Sequence, residues 1–185
     1  MRAEVGGGRV FPDRDVTELI TGVEIVSFLV SPINRYEGRP DDGPLPAPDG
    51  ELVDSITVRA GLGIVGDRYF NKPAHRNASI TLMAQESLPP GATLFHTRRN
   101  VLVRGLDVDA LVGADVTFDS GDGPVTLRLL RPAHPCAWMD AVIGPGSRDY
   151  LKGKGGARGA PMTDGTLRVG PVTVSISREA SASVP

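Results

Sequence analysis

The only cysteine among the 185 residues, Cys136, stands in Arg131-Pro-Ala-His134-Pro-Cys136, directly after an apolar run. A thiol attacks, binds metal or carries sulfur as its thiolate, a form favoured by a nearby imidazolium or arginine. Prolines 132 and 135 mark an irregular strand end, where side chains tend to be presented rather than packed. His134 is two residues from Cys136, so an extended segment would turn both side chains to one face. Cys136 and His134 are therefore the first candidates for catalysis. Two plainer readings stand beside them: a free cysteine is often a small buried hydrophobe, and His134 can be a satisfied structural histidine. A zinc site is not expected, because one cysteine with scattered histidines has no recognisable ligand spacing.

The second candidate is Lys152-Gly-Lys154-Gly-Gly-Ala-Arg158-Gly159. Glycines let backbone N–H groups come close to a ligand, and the cations add charge, so phosphate is the natural partner. The segment lacks the GxxxxGK[ST] pattern of a P-loop, and a solvated surface loop explains the same letters. The third candidate is Arg98-Arg99-Asn100 at a strand mouth, where directed N–H groups could hold a phosphate or a heterocycle edge. Asp67-Arg68 follows a glycine turn and could be a local ion pair fixing it. His75 and His96 carry no specific signal. Hydrolase motifs are absent: there is no G-x-S-x-G elbow and no H-E-x-x-H. Gly61-Leu-Gly63-Ile-Val-Gly66 matches the dinucleotide-binding spacing, yet Asp67 to Pro73 is a poor helix, which excludes that reading.

The elements that must position these groups are short. Gly22–Val30 is rich in β-branched residues and stops at Ser31-Pro32, as a strand would. Asn34 to Asp49 is a long loop, and Val53–Arg59 alternates apolar and polar residues as a second strand. Further strands are expected at Ala78–Met83, Arg99–Arg104, Leu167–Val169 and Val172–Ile176. Ala114–Phe118 and Pro124–Arg131 make the clearest hairpin, joined by glycines that supply positive φ. Brief helices are expected after Ala84, near Leu106–Val112 and at Ala137–Ile143, with a loop from Gly144 to Gly159. Short strands with frequent turn signals predict a mainly β fold, an antiparallel β-barrel-like domain. Its expected span is residues 21–180, between a glycine-rich flexible arm at 1–20 and a tail at 181–185.

Apolar residues at 40% and charged ones at 23% describe an ordinary globular chain rather than a disordered one. A net charge of −2 gives no long-range attraction for nucleic acid or anionic lipid. No apolar run approaches the roughly 18 to 20 residues that span a bilayer. Met1 to Arg9 lacks the apolar core of a secretory signal, and one cysteine rules out an internal disulfide framework. A cytoplasmic protein with a small-molecule substrate is the expectation, with neither nucleic acid nor membrane as partner.

In order along the chain, these segments resemble the MOSC family, the C-terminal domain type of molybdenum cofactor sulfurases. The resemblance runs through Val-Ser-Phe-Leu-Val-Ser-Pro32, Ala-Gly-Leu-Gly-Ile-Val-Gly-Asp67-Arg68-Tyr69, Thr97-Arg-Arg-Asn-Val-Leu-Val-Arg-Gly105 and Leu111-Val-Gly113. It continues through Arg131-Pro-Ala-His-Pro-Cys136, Gly-Gly-Ala-Arg-Gly159 and Asp-Gly-Thr-Leu-Arg-Val-Gly170, covering roughly residues 22 to 177. The chain departs from the family in Gly170-Pro171, in Ala160-Pro-Met-Thr163 and in His134-Pro135 ahead of the cysteine. The resemblance implies a barrel-like fold of the stand-alone bacterial type, and a cysteine matching the one that ligates molybdenum in amidoxime-reducing members. Carried over, Cys136 would bind molybdenum cofactor (molybdopterin), with Arg99 and Asn100 beside it; Lys154 and Arg158 meeting its phosphate is an expectation from their charge more than from the resemblance, and Asp67 and Arg68 belong to the same cofactor-binding set. The implied activity is an oxidoreductase acting on N-hydroxylated compounds and fed by separate electron-transfer proteins. An alternative is a sulfur carrier or sulfurtransferase, with a Cys136 persulfide received from a pyridoxal-phosphate-dependent cysteine desulfurase. A non-catalytic binding module is the third reading.

Overall fold

The structure, a computed structural model, describes residues 16–178. Eleven strands carry it: β1 (Val16–Leu29), β2 (Leu52–Val53), β3 (Ser55–Arg59), β4 (Gly63–Ile64), β5 (Ile80–Ala84) and β6 (Val101–Arg104). They continue with β7 (Asp115–Asp119), β8 (Pro124–Pro132), β9 (Ala157–Pro161), β10 (Gly165–Arg168) and β11 (Gly170–Ser177). Three short helices join them, α1 (Leu94–Thr97), α2 (Trp138–Val142) and α3 (Ser147–Tyr150).

Seven strands close into a barrel in the order β11-β7-β8-β9-β5-β6-β1, sealed by β1 pairing back onto β11, with β2 flanking β1. β3 sits between β10 and β4 in a small second sheet. The expected barrel is therefore the fold observed. It is mixed rather than wholly antiparallel, since β5 and β6 run parallel, with Leu82 opposite Val101. Parallel neighbours need a crossover, and here a single turn of 3-10 helix at Gln85–Ser87 and α1 supply it. β1 closes the barrel because it is long and bent. Its register shifts between Ile20 and Val23 and between Ile25 and Ser27, and Gly22 adopts φ +78 inside the first shift.

Strand alternation divides the buried residues into two layers. Ile25, Phe28, Ile80, Leu82, Val101 and Val103 point into the barrel with Phe118, Leu127 and Val174. Leu29, Met83 and Leu102 point outward and meet Leu94, Trp138, Met139 and Leu151 beneath the three helices. β5 is thus buried at every residue.

Two expected boundaries move. The barrel strand β1 already begins at Val16, before the domain boundary expected at 21, while 1–15 and 179–185, with the expected tail, lie outside the described residues. The expected loop Gly144–Gly159 contains α3 and the start of β9, a central barrel strand. Glycine content concealed that strand. Added Cβ atoms would lie 2.2 Å from the Ala133 carbonyl at Gly155, 2.0 Å from that of Leu82 at Gly156 and 2.0 Å from that of Arg128 at Gly159. These glycines are there for close backbone approach. Among the described residues no helix is long and apolar enough to cross a membrane.

Candidate functional site

The chain leaves β8 at Pro132 and turns into α2, the Met139 N–H donating to the Cys136 carbonyl at 3.0 Å. This delivers Cys136, exposed, to the rim of a cavity of about 180 Å³ on the outer face of the barrel. Thr81 of β5 and Arg158 of β9, paired across the two strands, form its floor. Tyr36 and Trp138 form one wall, stacked with ring centroids 5.0 Å apart and planes 9° from parallel. Arg68, Arg98 and Arg99 complete it, and no carboxylate is among the residues lining the cavity.

The arginines differ in what they have left to give. Arg98, with φ +57, donates twice to Glu51, Nη1 to Oε2 and Nη2 to Oε1, each at 2.7 Å in a fully buried pair. Burial pushes Glu51 up, but the hydrogen bonds from Arg98 and Ser31 and the charges of Arg98 and Arg35 outweigh it. The net effect holds its carboxyl below the ordinary carboxylate value. Arg99 donates from Nε to the Gly155 carbonyl at 2.9 Å, from Nη2 to Ala133 at 2.8 Å and from Nη1 to Thr97 at 3.3 Å. Burial, and next the like charge of Arg158, lower its pKa to about 10, so it stays a cation at neutral pH. Arg68 is the opposite case: its Nε and Nη1 are buried and have no hydrogen-bond partner, while its guanidinium lies 4.4 Å from the centre of the Tyr69 ring. Buried N–H groups left unpaired are costly, and a ligand acceptor would satisfy them.

Burial raises Tyr36 to about 12, against the pull of Arg98 and Arg35. Its phenol is therefore neutral and donates to the His96 carbonyl at 2.5 Å. Arg35, whose Nε donates to Leu45 at 2.7 Å, ties the same loop down.

Of the residues singled out from sequence, Cys136, Arg98, Arg99, Arg68 and Arg158 come together at the cavity. Asn100 and Asp67 do not line it, because their polar atoms are spent inside. Asn100 Oδ1 accepts from the Thr81 N–H and hydroxyl, and its Nδ2 donates to the Leu29 carbonyl and Asp67 Oδ2. Asp67 also accepts from the N–H groups of Ser31 and Tyr69. It fixes its turn through those backbone groups and not through an ion pair with Arg68. Lys154 sits 3.6 Å from the centre of the Tyr150 ring and is not among the residues lining the cavity, and Gly155 and Gly156 after it pack against backbone carbonyls. His134 is exposed and outside the lining, because the strand alternation that would align it with Cys136 ends at Pro132. Sequence reasoning passed over Tyr36, Trp138 and Glu51. The one usable signal was that the sole tryptophan lies two residues beyond the sole cysteine.

The barrel fold is shared with solved proteins. The YuaD protein of Bacillus subtilis superposes with a TM-score of 0.67 at 17% identity, over 88% of this chain and 99% of that one. YiiM of Geobacillus stearothermophilus gives 0.55 at 16%, over 87% and 77%, and YiiM of Escherichia coli 0.51 at 16%, over 85% and 71%. No protein-family model and no curated protein sequence matches the chain.

Proposed function

We propose that the chain is a stand-alone MOSC-domain protein that binds molybdenum cofactor through Cys136 and reduces N-hydroxylated compounds. The observation that carries this reading is an exposed thiol at a cavity lined by Arg68, Arg98, Arg99 and Arg158 and by no carboxylate. The barrel shared with YuaD and YiiM supports it at the level of fold.

The residues present fit such a group. A thiolate is a soft ligand suited to a metal of this kind, and Arg68 and Arg158 offer directed donors to a phosphate. When bound, the cofactor would supply the electrons that cleave the N–O bond, replenished by separate electron-transfer proteins. Cys136 would hold the metal, and the Tyr36–Trp138 wall would exclude water from one side and take a planar group edge-on or against its faces. Reduction of N–OH to N–H takes up two electrons and two protons and releases water. Tyr36 is no proton source, because its hydroxyl is tied to His96. Solvent reaching the exposed Cys136 would supply the protons.

The test is metal and pterin analysis of protein made in cells that synthesise the cofactor, comparing wild type with Cys136→Ser. Near-stoichiometric molybdenum in the first and its loss in the second are expected. Molybdenum in neither would sink the reductase reading. The exposure of Cys136 favours one alternative, a persulfide received from a pyridoxal-phosphate-dependent desulfurase that can reach the thiol directly. Cyanide-releasable sulfur on wild type, absent from Cys136→Ser, would identify it.

A further inference from the structure

We infer that Asp109, on the loop that crosses the barrel end after β6, is a positioning residue that sets the place of the Cys136 thiol through Gly156 and Arg99. The inference rests on the reading of Cys136 as the reacting group. Asp109 Oδ1 accepts the Gly156 N–H at 2.8 Å. The Gly156 carbonyl in turn accepts the Ala133 N–H at 2.8 Å. Arg99 bridges the same two segments from the other side, donating to the carbonyls of Gly155 and Ala133. Ala133 is therefore held at both its N–H and its carbonyl, and it anchors the short segment that ends in Cys136.

The chain at this clamp has no slack. Gly155 and Gly156 lie so close to the Ala133 and Leu82 carbonyls that neither accepts a Cβ. A shift at Gly156 must then be passed to Ala133. Asp109 is half-buried and also faces Asp107, whose like charge, with burial ahead of it, raises its pKa, while Gly156 and Arg99 pull the other way. The carboxylate accepts this cost where its bond to Gly156 holds the cysteine segment. The consequence lies at the sulfur of Cys136, which shares one cavity with the guanidinium groups of Arg68, Arg98, Arg99 and Arg158, so the place of the segment sets its distance from those cations.

Comparing the alkylation of Cys136 by iodoacetate and by iodoacetamide reads that geometry. The thiolate attacks the methylene carbon of both reagents and displaces iodide, so the ratio of their rates is independent of how much thiolate is present. It reports the positive potential at Sγ, since only one reagent is an anion. The measurement uses the full chain made in cells without molybdenum cofactor, so it stands whether or not the metal reading survives. In Asp109→Ala the freed segment lets the thiol drift from the arginines, and the ratio falls by at least about threefold. Asp109→Asn keeps an acceptor for Gly156 and holds the ratio within about twofold of wild type. Asp109→Ser, whose shorter side chain cannot reach Gly156, gives the same fall if the alanine variant does not fold. An unchanged ratio in a folded Asp109→Ala or Asp109→Ser variant would overturn the proposal, as would an equal fall in Asp109→Asn.

Discussion

The inside and the outside of the barrel are built on opposite principles. Inside, Phe28, Phe118, Leu127, Val174 and their neighbours form an aliphatic and aromatic core to which every barrel strand contributes. Outside, a smaller apolar cluster of Leu29, Met83, Leu102, Trp138 and Met139 is interleaved with buried polar groups. Among these are Glu51, Asp67, Thr81, Arg98, Arg99 and Asn100. The inner core owes its stability to many small contacts, and no single one decides its shape. The outer layer depends on a few directed bonds, each of which fixes a loop beside the cavity. A change inside should therefore cost stability and leave the site intact, whereas a change outside should alter the site.

The most severe test of that contrast is Phe118→Ala. Phe118 is fully buried in the barrel, and its truncation should cost about 3 to 5 kcal/mol. Thermal or denaturant unfolding reads the loss, and Cys136 alkylation in the folded fraction should stay at the wild-type rate. A changed rate would mean that the two layers are coupled.

Next in size is Glu51→Gln, which leaves the buried Arg98 without its counter-charge and should cost about 3 kcal/mol at neutral pH. Its pH dependence has a definite sign. Folding holds Glu51 below its ordinary value of 4.5, so the stability it contributes is present above that value. It is lost as pH falls through the lower folded value. Wild type should lose unfolding free energy on acidification in that window, and Glu51→Gln should lose less. Parallel curves for the two proteins would show that the pair is not the source.

Asn100→Ala should come third, at about 1 to 3 kcal/mol, because it strands donors on Thr81 and removes donors to Leu29 and Asp67. Unlike Phe118→Ala, it should speed amide exchange at Thr81, whose N–H donates to the Asn100 side chain. Protection at Thr81 equal to wild type would contradict the role given to this network.

The smallest stability effect belongs to Cys136→Ser, an isosteric change at an exposed position, within about 0.5 kcal/mol. The same variant is expected to lose all bound molybdenum. Those two outcomes together would separate the residue that carries the chemistry from those that carry the fold. A destabilisation comparable with that of Asn100→Ala would instead make the thiol part of the packing.

Much of this architecture can be read from local sequence. β-branched residues marked β1 from Gly22 onward, alternation marked β3, short apolar runs marked β5, β6 and β11, and glycines between Asp119 and Pro124 marked the hairpin of β7 and β8, because all these signals depend on adjacent residues. β9 escaped notice, since Ala157-Arg-Gly-Ala-Pro161 has small residues where two strands approach closely, not the bulky ones that signal a strand. The parallel pairing of β5 with β6 could not be foreseen from either segment. At the site, Cys136 stood out by being the only thiol, and Arg99 by its place at a strand mouth. Arg98 and Arg99 are neighbours in sequence yet have different partners, one a carboxylate from residue 51 and the other carbonyls from residues 133 and 155.

The sequence by itself determined that this is a β-barrel chain with one cysteine at the end of a strand, because alternation, turn residues and residue identity are local properties. Which cations face that cysteine was decided only by the tertiary structure. A loop side chain has no period to predict its direction, and its partners come from segments tens of residues away. Those partners bring Arg68 to the cavity lining, leave its Nε and Nη1 buried without a hydrogen-bond partner, and commit Asn100 and Asp67 to the layer beneath.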